Sequence, residues 1–102
     1  MTDFSQGDII KINGFKNLFV IVSKDAYIRA TKTFHVCPVL EKVDEGPLRI
    51  FVEGIKHRKG IVICEQMKLI DPDARGCMRV DRLDYGTLMN VSDALQGIFE
   101  YD

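Results

Sequence analysis

Apolar positions repeat every second residue, or run on unbroken, through most of the chain, and take up a helical spacing only near its end. Gly7–Ile12 (Gly7-Asp8-Ile9-Ile10-Lys11-Ile12) reads as a first strand and Leu18–Ser23 as a second. Asn13-Gly14 lies between them and predicts a hairpin with a type I′ turn, whose two central residues both take positive φ. Leu18-Phe19-Val20-Ile21-Val22 has no polar alternation, so this strand is expected to be central and buried on both faces. Asp25–Lys32 is polar, a short helical turn or a loop. Thr33–Leu40 is a third strand, with Pro38 expected at an edge or bulge because it has no N–H. Glu41–Gly46 is turn-like, Pro47–Val52 a fourth strand, Gly54–Gly60 a basic loop and Ile61–Cys64 a fifth, buried strand. Met67–Ile70 runs into the turn starter Asp71-Pro72. Cys77–Leu83 alternates Met78 and Val80 against Arg79 and Asp81, a half-exposed strand. Leu88, Val91, Leu95 and Ile98 recur at helical spacing, with Asp84 placed as N-cap. The order is five or six strands and then a helix. This is a β-rich α+β chain: an antiparallel, partly open barrel with a C-terminal helix, in one domain spanning 1–102.

The hydrophobic share, 46%, is that of a globular chain and argues against disorder. Leu18–Val22 is the longest unbroken apolar run, far short of the roughly 20 residues a membrane span needs. The N-terminal residues lack a basic-then-apolar export pattern, so a cytoplasmic protein without a membrane partner is expected. The three cysteines, Cys37, Cys64 and Cys77, show no C-x-x-C spacing, and neither a structural metal nor a cofactor is expected. Charge is unevenly spread. Residues 83–102 hold Asp84, Asp93, Glu100 and Asp102 and no Lys or Arg, so residues 1–82 carry a net +3. A mildly cationic body with an acidic end is compatible with nucleic-acid contact without requiring it.

Several segments together resemble the PemK/MazF-type toxins of bacterial toxin–antitoxin pairs. Gly7-Asp8-Ile9-Ile10 looks like their opening. Val20-Ile21-Val22-Ser23, followed by Ala26-Tyr27, looks like their second strand and its continuation. Val62-Ile63-Cys64-Glu65-Gln66-Met67-Lys68-Leu69-Ile70-Asp71 resembles the apolar strand, Asp/Glu-Gln pair and Lys/Arg-Thr-Ile-Asp-like run of that family. Arg75-Gly76 and the final helix follow in the same order. The resemblance implies an SH3-like barrel, a homodimer, a cognate antitoxin and metal-independent cleavage of single-stranded RNA. It also implies that an acidic antitoxin segment would meet Lys16, Lys56, Arg58 and Lys59.

The departures bear directly on chemistry. The family's long first loop ending in Arg-Pro is cut here to Asn13-Gly14-Phe15-Lys16, with Asn17-Leu18 where Arg-Pro is expected. Its catalytic Thr-Ser pair is replaced by Leu40-Glu41 after Cys37-Pro38-Val39. Metal-free RNA cleavage uses the 2′-hydroxyl as nucleophile, and needs a base, a stabiliser of phosphate charge and an acid for the leaving oxygen. Glu41 and Glu65 are the candidate bases, and Lys16 is the cation nearest the missing arginine. Asn17, Lys42, Gln66, Arg75, Lys56, Arg58 and Lys59 are candidate RNA contacts, with Arg29, His35 and His57 further possibilities. The resemblance implies that Phe15 and Tyr27 flank the RNA groove, where they are candidates to stack bases. Each has an ordinary reading beside it. Glu41-Lys42 and Lys56-His57-Arg58-Lys59 suit solvated loops, Glu65-Gln66 a strand end, His35 a strand side chain, and the two aromatics core packing.

Three functions compete: an RNA-cleaving toxin, a non-catalytic relative that binds nucleic acid or protein, and an unrelated SH3-like interaction domain. The CcdB-type gyrase poisons resemble this fold and act without nuclease chemistry. The lost Arg-Pro and Thr-Ser separate the first two functions. A neighbouring frame encoding an acidic, partly disordered chain would separate both from the third.

Overall fold

The computed structural model describes residues 4–99. Seven strands and two helices follow in order: β1 Asp8–Ile12, β2 Leu18–Ile21, α1 Asp25–Thr31, β3 Phe34–Leu40, β4 Arg49–Glu53, β5 Lys59–Ile63, β6 Lys68–Ile70, β7 Cys77–Arg82 and α2 Tyr85–Phe99. All pairings are antiparallel, in the order β4-β5-β3-β2-β1-β7, with β6 also on β3. The sheet does not close, but its edge strands approach: Ile55 N, just past β4, donates to Arg82 O of β7 (2.9 Å). The expected partly open antiparallel barrel with a C-terminal helix is therefore present, with seven strands rather than five or six. Lys68–Ile70 is a full strand, and Asp25–Thr31 a short helix.

Period two explains how one sheet supports two cores. Ile9, Val20, Val22, Cys37 and Val39 point to the face covered by Val91 and Leu95 of α2. Their chain neighbours Ile10, Phe19, Ile21 and Val36 point to the other, where Ile28 of α1, Phe34 and Ile70 pack. Both faces being covered accounts for the unbroken apolarity of β2. In α2 the stripe holds through Leu88, Val91 and Leu95, but Ile98 is 38% exposed and stands outside the core. Asp84 caps the helix by accepting Thr87 N–H (2.7 Å), which holds its carboxyl below the usual range.

Two expectations are corrected. Pro38 is buried in an inner strand rather than at an edge, and it sits where the ladder on one side of β3 shifts register. On the side away from β2, β3 pairs with β5 at Val39 and Leu40 and with β6 at Phe34, His35 and Val36. Pro38 falls between these stretches, opposite the 3-10 turn Cys64–Gln66 that separates β5 from β6, so no ladder bond is lost. The β1–β2 connection is not a two-residue type I′ turn. Phe15 N donates to Ile12 O (3.1 Å), and of the two central residues only Gly14 has positive φ (94°). The strands pair again at Lys11 and Leu18, leaving residues 13–17 as a wider loop.

The family-like opening is structural. Asp8 is buried; its Oδ2 accepts Ser5 N–H (2.8 Å) and faces Arg79 Nη1 (3.4 Å). Burial pushes its carboxyl pKa up despite these donors.

Candidate functional site

The wide β1–β2 loop has a consequence for chemistry. It carries Lys16 and Asn17 to the corner where β3 ends and β5 begins, because β2 and β5 flank β3 there (Leu18 opposite Val39, Leu40 opposite Ile61). An open concavity of about 400 Å³ results, lined by Lys16, Asn17, Leu18, Val39, Leu40, Glu41, Lys42 and Lys59. Five candidates far apart in sequence are thus brought together: Lys16, Asn17, Glu41, Lys42 and Lys59. Three lysines and one glutamate share this lining with the apolar Leu18, Val39 and Leu40. No hydrogen bond or ion pair engages the side chains of Lys16, Glu41, Lys42 or Lys59 among the described residues. Asn17 is partly committed, since its Nδ2 donates to Leu18 O (3.0 Å).

Gly60 lets β5 come this close. A Cβ there would lie 2.8 Å from Leu40 O and 2.7 Å from Val39 Cγ1. Gly60→Ala is therefore expected to lower stability by about 2 kcal/mol through overpacking, read as a lower urea midpoint at unchanged slope.

The remaining candidates lie elsewhere. Glu65, on the 3-10 turn, faces Arg49 Nε (3.4 Å) in a separate hollow with residues 45–49, so it does not share a site with Glu41. Gln66 is exposed on the same turn and does not line the concavity. Arg75 lies over the Phe15 ring (5.2 Å to the centroid), with Lys68 Nζ at 4.9 Å. Lys68 was not among the sequence candidates; its place in the Lys/Arg-Thr-like run was the available signal. Phe15 stands edge-on to Phe19 (5.1 Å) and packs on the α1-side core, while Tyr27 tilts against His35 (5.2 Å). Both aromatics are thus engaged in packing. His35 Nδ1 lies 2.9 Å from Ser23 Oγ, and His57 Nδ1 lies 2.8 Å from Glu53 Oε2. Arg29 is exposed in the last turn of α1.

Lys56 and Arg58 belong to a rigid loop at residues 54–58. The buried Asp81 carboxylate accepts N–H groups from Lys56 (2.7 Å), Arg58 (2.9 Å) and Arg82 (2.8 Å). Burial alone would raise its pKa, but these donors and the Arg58 charge outweigh it and hold it below the usual carboxylate range. Lys56 also lines a second hollow of about 360 Å³ with Arg79 and Arg82. A third hollow, about 370 Å³ and mainly apolar, lies between α1 and α2 and includes Tyr27, Met67, Leu95 and Phe99. Buried Cys37 and Cys64 have raised thiol pKa values through desolvation, Cys37 up to about 12, and are unsuited to nucleophilic work at neutral pH.

No protein-family model matches the sequence, and no curated protein matches it. Among solved structures, a MazE–MazF complex from Deinococcus radiodurans superposes with a TM-score of 0.83 at 17% identity, covering 100% of both chains. An endoribonuclease from Mycobacterial species gives 0.80 at 17% identity, covering 95% of this chain and 91% of the other. A Mycobacterial endoribonuclease in complex with its cognate antitoxin gives 0.80 at 16%, covering 97% and 99%. The chain has the MazF-type toxin fold. No helix among the described residues is long and apolar enough to cross a membrane.

Proposed function

We propose that this chain is the toxin-like component of a bacterial toxin–antitoxin pair, a homodimer that binds single-stranded RNA in the concavity of Lys16, Lys42 and Lys59. The convergence of three lysines and Glu41 on one concavity, from three separate segments of the chain, carries the reading. Three lysines on one concavity attract phosphate, and Leu18, Val39 and Leu40 give it an apolar part against which a base can pack. The solved structures of the same fold include endoribonucleases and antitoxin complexes, which supports both the substrate class and the partner.

Cleavage in this site uses the groups present. Glu41 takes the 2′-hydroxyl proton as its oxygen attacks the adjacent phosphorus. Lysine ammonium groups offset the growing charge on the phosphoryl oxygens. The P–O5′ bond breaks, and a lysine N–H protonates the leaving oxygen, yielding a cyclic phosphate and a 5′-hydroxyl. No Ser or Thr lines the concavity and lysine lacks the guanidinium fork, so the rate is set below that of a site with both. That observation also favours a second reading, a catalytically impaired module that binds RNA. A cleavage assay on long unstructured RNA in chelator, with binding measured in parallel, tests both. Slow cleavage with 5′-hydroxyl ends supports the first, binding without cleavage the second, and neither binding nor cleavage defeats both.

A further inference from the structure

The hollow of Lys56, Arg79 and Arg82 lies outside the proposed active site but is joined to it. Lys59 lines one concavity and Lys56 the other. Three residues span at most about 11 Å, so a single short segment, with exposed Arg58 within it, bridges two cationic hollows. Asp81 lines the same hollow as Lys56, with its carboxylate already engaged by three main-chain N–H groups. Asp81 and Asp8 are each 3% exposed, and their oxygens face inward to main-chain N–H groups and, at Asp8, to Arg79. An approaching ligand therefore meets the exposed side chains of Lys56 and Arg82, and that of Arg79, 51% exposed. Glu53, in the strand before the loop, faces His57 (2.8 Å).

The backbone under these cations is fixed in advance. Asp81 binds the N–H groups of Lys56 and Arg58, Gly54 N donates to Arg58 O (2.7 Å), and His57 N donates to Gly54 O (2.9 Å). Several cations in two neighbouring hollows, one of them carried on a braced loop, suit a run of phosphates better than a single anion. We propose that Lys56, Arg79 and Arg82 form a second phosphate-contact site that extends the RNA track from the Lys16–Lys42–Lys59 concavity across the β4–β5 loop. The substrate class becomes single strands long enough to occupy both hollows. This rests on the RNA-binding reading given above.

Two exposed side chains can be changed without touching the loop's main-chain bonds: Lys56→Gln with Arg82→Gln. Binding would be measured by fluorescence anisotropy with non-cleavable 2′-O-methyl RNAs of about 4 and about 14 nucleotides. The double variant is expected to bind the long strand about tenfold more weakly and the short strand unchanged. Its log–log salt slope for the long strand should fall by about 1.4, two phosphates' worth. Equal weakening for both lengths, or none, overturns the extended track and leaves the first concavity standing. An acidic peptide weakened by the variant while the long RNA is not would reassign the hollow to a protein partner and also overturn it. Wild-type protein that binds neither RNA removes both readings.

Discussion

Asp81→Ala is expected to cost about 3 kcal/mol of stability at neutral pH and to lower Tm by roughly 15 °C. Three main-chain N–H groups, from Lys56, Arg58 and Arg82, converge on this one buried carboxylate, and no other partner takes them once it is gone. The same residue joins the two edges of the open sheet, since it sits on β7 and holds the loop that leaves β4. Gly54 gives an internal control. A Cβ at Gly54 would run into the Asp81 carboxylate, so Gly54→Ala should also destabilise in the native background. In the Asp81→Ala background that space is open, and Gly54→Ala should cost little; simple additivity in a double-mutant cycle would defeat the assignment. Sign fixes the pH dependence. The folded pKa of Asp81 lies below the unfolded value of about 3.9, so its stabilisation is present above that pH and is lost as pH falls through the folded pKa. The deficit of Asp81→Asn relative to wild type should therefore be largest near neutrality and shrink below about pH 4. Urea titrations at several pH values would show it.

Asp81 also marks where sequence reading stops. Period two puts it on the polar face of β7 beside Arg79 and against Met78 and Val80, but the strand exposes Met78 (59%) and buries Asp81 (3%). A carboxylate turned inward onto main-chain donors has the same pattern as one turned to water, and its partners at 56 and 58 are amides that any residue could supply. Apolar periodicity read better because burial depends on side-chain type. The run Leu18–Val22 announced a strand covered on both faces, and the stripe Leu88–Val91–Leu95 announced the helix that covers one of them. The cationic corner was partly readable. Lys16, Asn17 and Glu41 stand at or beside altered positions of a family pattern, with Lys42 next in the chain, and the structure places all four in one concavity. Glu65 stood in the most family-like segment, but the 3-10 turn after β5 points it to Arg49 instead. Arg79 and Arg82 carried no signal of their own, because their neighbour Lys56 comes from a loop more than 20 residues earlier.

Glu41→Gln is expected to reduce metal-free RNA cleavage by about 10²–10⁴, the usual worth of a positioned general base, while RNA binding holds or tightens. Glu41 lines the same concavity as Lys16, Lys42 and Lys59, where an anion opposes phosphate binding unless it serves as the base. Glutamine keeps the shape and an acceptor oxygen but cannot take the 2′-hydroxyl proton. A structural role would instead move stability, which an exposed side chain with no partner among the described residues should leave within about 0.5 kcal/mol. Lys16→Ala should cost about 10²–10³ in cleavage and also weaken binding, since a phosphate-facing ammonium acts in ground and transition states alike. Lys16→Arg restores charge and adds the bidentate fork, so it should recover and exceed the native rate if Lys16 faces the scissile phosphate. Single-turnover cleavage of a long unstructured RNA, with affinity measured separately, distinguishes these effects. Cleavage untouched by Glu41→Gln and by Lys16→Ala would place the active site elsewhere. Cleavage lost in Glu41→Gln with tighter binding, and rescued in Lys16→Ala by the arginine, would place it at the corner where β3 ends and β5 begins.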